Sequence, residues 1–365
     1  MSITANRQKP YFDRKTTNII KGIALIMMSI LHFFTFPDWW GEGISYPLIE
    51  KAADYLRSPL KLCVPVFCFL TGYFYFFNTD HSYKYSFRKI SDIYISYWCI
   101  FFPFALIAVL FADYTYTFSG FVKELLAIET PAMCFCWYVN YYCFTMLTLP
   151  LLAERVFSKN IHFDLIVGLI LIPSIFRLVS HFIPIGSEFT FNLFWWSPVV
   201  YIGYIFANYG LFEKMESLLR KIGSRDFQSI ILIFCFFLAP AGRLLAFELT
   251  LQISHLPDFI VNMDIFYAPV FIFVLVHFCK TAYLSGLKAV LSRIGKYSLL
   301  MWFISCIFYG NSSSIFQPIL YLPHNPVLVT LWGNLLCYVF SYVADIGIKR
   351  IQNYKNAKCF PDQKQ

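Results

Sequence analysis

Charge is scarce in this chain, and acid is the scarcer sign: Asp, Glu, Lys and Arg make up 14% of 365 residues, with 21 acidic against 29 basic side chains. With 58% hydrophobic residues and 42 Phe, a soluble domain of this composition would aggregate. Several catalytic signatures are missing as well: a Gly-rich phosphate loop, a Gly-x-Ser-x-Gly nucleophile turn and a His-Glu-x-x-His pair. Eleven Cys are present, yet Cys63, Cys68, Cys99, Cys143, Cys235, Cys279, Cys306 and Cys337 lie in apolar runs, where a thiol behaves as a small hydrophobe. Cys134 and Cys136 are separated by one residue, the spacing of neither a zinc knuckle nor a redox motif, so no metal is expected. No internal repeat is visible, which counts against the duplicated halves common in secondary transporters.

What the chain does have is length in its apolar runs. Mean hydropathy is +0.60, and windows of about 20 apolar residues, enough to cross a hydrocarbon core about 30 Å thick, recur about ten times. The expected spans are 17–36, 59–78, 93–112, 131–152, 163–183, 190–208, 228–247, 264–284, 297–318 and 327–348. Backbone in lipid must satisfy its own hydrogen bonds, so each is read as a helix and the fold class is an all-α polytopic transmembrane bundle. Residues 1–350 are expected to form one transmembrane domain and residues 351–365 a short basic cytoplasmic tail.

Basic residues set the orientation. Alternate connections hold Arg7, Lys9, Arg14 and Lys15; Lys84, Arg88 and Lys89; Arg155 and Lys159; Lys214, Arg220, Lys221 and Arg225; Lys280, Lys288, Arg293 and Lys296; and Lys349, Arg350, Lys355, Lys358 and Lys364. The other set has little beyond Lys51, Arg57, Lys61 and Lys123. By the positive-inside rule both termini are expected in the cytoplasm, in agreement with an even helix count. The net charge of +8 is that cytoplasmic excess and needs no nucleic acid to explain it, although it favours anionic lipids or an anionic cytosolic cofactor. The first span follows basic residues without a small-residue cleavage site, and is expected to be a retained signal anchor. The longest outer stretch is Asp38 to Pro59, and the cytoplasmic segment from Gly210 to Phe227 reads as a short amphipathic surface helix.

Within the first span, Lys21 and His32 are eleven residues apart, almost three turns, which places them on one helix face about 16 Å apart along the axis. Ionisable residues inside a membrane are costly and are functional candidates by default; a Lys near a helix end also snorkels to the interface with no further role. His32 lies fifteen residues beyond Thr17, about 22 Å along the helix and in the outer half of the core.

The segment Asn18-Ile-Ile-Lys21-Gly22-Ile23-Ala24 through His32 to Pro37-Asp38 resembles the opening helix of the acyltransferase 3 family, membrane proteins that acylate extracytoplasmic glycans. Val64-Pro65-Val66-Phe67 through Thr71-Gly72-Tyr73-Phe74 is similar to its second-helix signature, and Phe87-Arg88-Lys89-Ile90 with Tyr97-Trp98 to its basic loop. Trp137-Tyr138-Val139, Gly203-Tyr204-Ile205, Ile294-Gly295-Lys296-Tyr297-Ser298 and Met301-Trp302 continue the match in order along nearly the whole chain. Departures are Lys21 for the family's Arg, which loses the bidentate fork, Leu31 for the first His of a pair, Thr71 for Ser and Ser305 for a His.

The resemblance implies an O-acyltransferase of the bacterial plasma (inner) membrane, with His32 as its catalytic residue. Its donor would be acetyl-CoA or another short acyl-CoA, and its acceptor a cell-surface polysaccharide or lipid-linked glycan. The chemistry agrees: a sugar hydroxyl attacking a thioester needs a base for its proton, and an imidazole provides one. Lys21, Arg88 and Lys89 offer a basic cytoplasmic mouth for the donor phosphates, and are equally what positive-inside loops contain. Arg177 reads either as the holder of an oxyanion or acceptor carboxylate, or as a structural partner for Glu188 or Glu248. Asp38 either orients the His32 ring from the outer rim or is a solvated loop acid. Trp137 and Tyr138, with Trp39, Trp40, Tyr141, Tyr142, Trp195 and Trp196, form an aromatic group that stacks on sugars or marks the membrane interface. The alternative function is a transporter or flippase for glycans, with His32, Arg177 and Asn334 lining its path; a silent membrane scaffold is a third.

Overall fold

A computed structural model of the chain describes residues 9–40, 43–112, 114–130, 133, 136–157, 160–182, 187–252, 263–309 and 315–359. Among them every regular element is helical. Six helical stretches are long and apolar enough to cross a membrane: Arg14–Phe34, Pro47–Phe77, Tyr83–Phe111, Ile161–Leu178, Arg225–Leu249 and Pro326–Lys355. Ser285–Lys296 with Ser298–Phe308 adds a seventh if the broken pair is one span. Helices Tyr138–Leu151, Ser187–Asn208 and Asp264–Lys280 occupy the places of three other expected spans, the first and last only 14 and 17 residues long.

Several spans are less regular than their composition suggests. The fifth contains a π-helical turn, Val167–Leu171, between α-helices Ile161–Ile166 and Ile172–Phe182. Pro173 follows with one residue between; in an unbroken α-helix the proline ring would meet the carbonyl four residues back, at Leu169, and a wider turn relieves that clash. The ninth, expected to be continuous over 297–318, instead ends its α-helix at Ser305, tightens into a 3₁₀ turn at Cys306–Phe308 and resumes as a short helix at Gln317–Tyr321. The stretch after Asp38 contains helix Pro47–Leu60, with Pro59 near its end. Leu211–Lys221 forms the short surface helix. The last helix, Pro326–Cys359, continues past residue 350 without a break.

Chain contacts divide the protein into two compact units. The first comprises Met1–Met28, Asp54–Ser82 and Thr148–Lys296. Glycines hold it together at two crossings. A Cβ on Gly72 would collide with the carbonyl of Val200, and one on Gly203 with the carbonyl of Phe69. A Cβ on Gly22 would meet the carbonyl of Leu291, and one on Gly295 that of Asn18. In both crossings backbone touches backbone, which only glycine permits, and the loss of side chain is offset by close van der Waals packing where water exclusion drives nothing. All four glycines belong to the motifs quoted above. On another side of this unit Arg243 spans Asp264 in a bidentate pair, Nε to Oδ1 at 2.6 Å and Nη2 to Oδ2 at 2.8 Å, and donates Nη1 to the Ser58 carbonyl.

The second unit comprises Ser29–Ala53, Tyr83–Leu147 and Tyr297–Gln365. Its Ser298–Ser305 helix packs against Pro326–Cys359 and Tyr83–Phe111. Gly333 lies against the Phe33 ring and the Leu320 side chain, with no room for a Cβ between them.

Candidate active site

The carboxy-terminal end of the first helix is built by its own caps. An α-helix leaves its last carbonyls without internal donors. Here the Phe33 carbonyl accepts both the Tyr321 hydroxyl, at 2.7 Å, and the Trp40 indole N–H, at 2.9 Å. The Leu31 carbonyl takes the Thr35 hydroxyl at 2.6 Å as well as its N–H. Chain direction then turns through a 3₁₀ helix, Pro37–Trp39, whose Trp39 carbonyl accepts Gln317 Nε2 at 2.9 Å. One turn before His32, the Ser29 hydroxyl bonds Asn334 Oδ1 at 3.1 Å. His32, on the last turn, is therefore carried by a helix end pinned on three sides, and only 7% of its surface is exposed.

Aromatic rings enclose the imidazole. Tyr309 lies at 5.0 Å between centroids, tilted by 31°, and Phe36 at 6.1 Å, nearly parallel. Trp39 stacks on Phe36 at 4.2 Å and lies parallel to Tyr309 at 6.1 Å. The Tyr309 hydroxyl is 3.0 Å from Ser305 Oγ, which itself donates to the Trp302 carbonyl at 2.7 Å. Trp302 in turn meets Tyr138 at 4.8 Å and Trp137 at 6.5 Å. A chain of ring contacts and hydrogen bonds, through the Ser305 hydroxyl and the Trp302 backbone, thus runs from His32 to two of the residues expected on the acceptor side.

Tyr309 and Phe36 were not singled out by sequence. In a continuous helix the spacing Trp302, Ser305, Tyr309 would place three side chains on one face, the signal that was available, although Tyr309 lies just past the 3₁₀ turn in extended backbone. Ser305 stands out only as a departure from the family pattern, and here its hydroxyl is the partner of the ring beside His32. Trp39 touches this group, whereas Trp40 is committed to capping the helix.

The other expected residues fall elsewhere. Asp38 is exposed on the 3₁₀ turn and forms no hydrogen bond or ion pair with a described residue. Arg88 and Lys89 lie in the second unit near the start of Tyr83–Phe111, both over the Tyr85 ring at 5.4 Å. Asp92, one turn on, pairs with Lys355 from the end of the last helix. Lys21 belongs to the first unit, next to the Gly22 crossing, and shares with His32 the one continuous helix. Arg177 also belongs to the first unit, exposed, with its guanidinium 5.4 Å over the Phe194 ring. Glu188 and Cys134 lie outside the described side chains. Asn334 clasps two helix turns, accepting from Ser29 and donating to the Thr330 carbonyl at 2.8 Å.

At the start of the chain, Tyr11 donates its hydroxyl to Glu216 at 2.5 Å, and Glu216 also takes Arg220 at 3.0 Å and faces His277 and Lys280. Burial pushes the Glu216 carboxyl up, but the Tyr11 and Arg220 hydrogen bonds and the nearby cations outweigh it and hold the group below its ordinary value. Burial and the same carboxylate push the Tyr11 phenol up.

A family model described as an acyltransferase domain, that of the acyltransferase 3 family, matches residues 15–346. No curated protein and no solved structure matches the chain.

Proposed function

The chain belongs to the acyltransferase 3 family and is a membrane acyltransferase, and from this we propose that it moves an acetyl or other short acyl group from acyl-CoA to a hydroxyl of an extracytoplasmic glycan, with His32 as the base. The placement of His32 carries this reading: a buried imidazole at the far end of a helix whose near end begins with Arg14 and Lys15. His32 takes the proton of the acceptor hydroxyl as its oxygen attacks the thioester carbonyl; the carbon–sulfur bond breaks, and the proton passes to the leaving thiolate. Trp39, half-buried and stacked on the Phe36 ring that lies beside His32, suits a pyranose face.

Donor entry is assigned to the cytoplasmic side, with Lys21, Arg88 and Lys89 drawing the phosphates of the coenzyme. Two features support a cytoplasmic location for both termini in a bundle of about ten spans at the bacterial plasma membrane. In the second unit, Lys355 from the last helix meets the basic start of Tyr83–Phe111. In the first, Tyr11 joins the basic surface helix Leu211–Lys221 and Lys280. A translocation path gains nothing from Asn334, whose polar atoms are spent within the second unit.

The test is mass spectrometry of surface glycans from cells with the gene, without it and with His32→Ala. An acyl mass increment that needs the gene and acyl-CoA is expected, with transfer by His32→Ala reduced by about 10²- to 10⁴-fold at equal membrane content. Full acylation by a well-expressed His32→Ala protein refutes the role given to His32, and a glycan unchanged by deletion refutes the acceptor class.

A further inference from the structure

The ring beside His32 has a hydroxyl bonded away from it, and that arrangement suggests a task. Ser305 Oγ has one proton and gives it to the Trp302 carbonyl at 2.7 Å, so towards Tyr309 it is an acceptor. The Tyr309 phenol therefore donates to Ser305 Oγ at 3.0 Å, with Cys306 Sγ at 3.5 Å as a second, weaker acceptor. The chain Tyr309 to Ser305 to Trp302 is directional and anchored on backbone, which fixes the ring in its plane. Trp39 backs the same ring at 6.1 Å and 17°. With 2% of its surface exposed, Tyr309 has no freedom to turn elsewhere.

What the ring offers His32 is its face. The centroids are 5.0 Å apart with the planes tilted by 31°, within the range over which an aromatic face attracts a cation. We propose that Tyr309 is a positioning residue for His32, holding the imidazole through its ring and stabilising the imidazolium that forms as His32 takes the acceptor proton. This rests on the assignment of His32 as the base. The neutral imidazole gains little from the ring quadrupole and the charged one gains more, so the interaction is stronger in the transition state than before it and acts on kcat. Ser305 serves the same end one bond further out, by holding the phenol.

Fluorination of the ring at position 309 isolates this effect, because fluorine drains the ring face of charge at almost constant shape. Tyr309→Phe should keep kcat within about threefold of the parent, and mono-, di- and trifluorophenylalanine at 309 should lower it in steps to about tenfold below Phe, with donor KM unchanged. Ser305→Ala should lower kcat in the parent and have no further effect on Tyr309→Phe, as expected if the two act as one unit. A flat fluorine series overturns the proposal, since a merely structural ring would be indifferent to its charge distribution. His32→Ala runs alongside. Full activity in that variant removes the base assignment itself, whereas an inactive His32→Ala protein with a flat series removes only the role of Tyr309.

Discussion

Replacing Gly295 by Ala tests whether the family's motif glycines are architectural. A Cβ at that position would sit 2.6 Å from the Asn18 carbonyl carbon and 2.9 Å from the Gly22 nitrogen, and closer still to the Asn18 oxygen. Gly22 faces the reciprocal contact, 2.9 Å from the Leu291 carbonyl carbon and 3.2 Å from its Cα. All these atoms are backbone, so no side chain can swing aside; helices Arg14–Phe34 and Ser285–Lys296 must part by on the order of 1 Å, in an interior packed as tightly as a crystal. Overpacking of a core costs about 1–3 kcal/mol, and a clash of backbone with backbone belongs at the upper end. Gly286, on the same helix, has no atom within 4 Å of its would-be Cβ, so Gly286→Ala should be neutral or stabilising by up to about 1 kcal/mol. The assay is thermal unfolding of purified protein in detergent, followed by loss of the monodisperse size-exclusion peak. Gly295→Ala and Gly22→Ala should each lower the midpoint well below that of Gly286→Ala. The double variant should fall by less than the sum, because the first Ala already opens the crossing for the second. Equal midpoints for Gly295→Ala and Gly286→Ala would refute the reasoning.

Three further outcomes are expected. Donor titration in reconstituted membranes should show a raised apparent KM for acyl-CoA in Lys21→Gln and Arg88→Gln, with Lys21→Arg equal to or better than the parent, since a guanidinium forks onto phosphate; unchanged donor dependence in all three removes the basic mouth. Asp264→Asn leaves the Arg243 guanidinium buried without its counter-charge and should cost about 3–5 kcal/mol, read as a lowered unfolding midpoint, while Asp54→Asn, whose partner Arg57 is half-exposed, should change little. Because the folded-state value of Glu216 is depressed, its contribution to stability is present above the unfolded value of about 4.3 and is lost as pH falls through the lower folded one. The difference in melting temperature between the parent and Glu216→Gln should thus shrink on acidification through that window, and a constant difference from pH 6 to 3 contradicts a stabilising Glu216 carboxylate at the Tyr11 hydroxyl.

The membrane-embedded helical class and the family were legible without coordinates. Apolar runs of sufficient length leave the backbone no option but helix, and that holds whatever the neighbours do. The first helix is the clearest case: hydropathy placed it at 17–36, and it spans Arg14–Phe34. Where Pro and packing compete with that rule, composition was blind, so the π turn before Pro173 and the break after Ser305 came only with the structure. His32 was legible as a costly polar group in an apolar run. Its surroundings were not: Tyr309 is 277 positions away in sequence and Phe36 is one aromatic among 42 Phe. Nothing local distinguishes these rings from lipid-facing ones, because both environments reward the same side chain.

Sequence alone determined that this protein crosses a membrane as helices, which ends carry the basic charge and which imidazole is the candidate base, since each follows from transfer free energy along the chain, residue by residue. Tertiary structure decided what the motifs do. It showed that Gly22 with Gly295 and Gly72 with Gly203 are paired crossings, that Asp38 is exposed on a 3₁₀ turn, and that Ser305 reaches His32 through Tyr309. Those relations depend on the distance between atoms far apart in the chain, a quantity set by helix packing and absent from any local pattern.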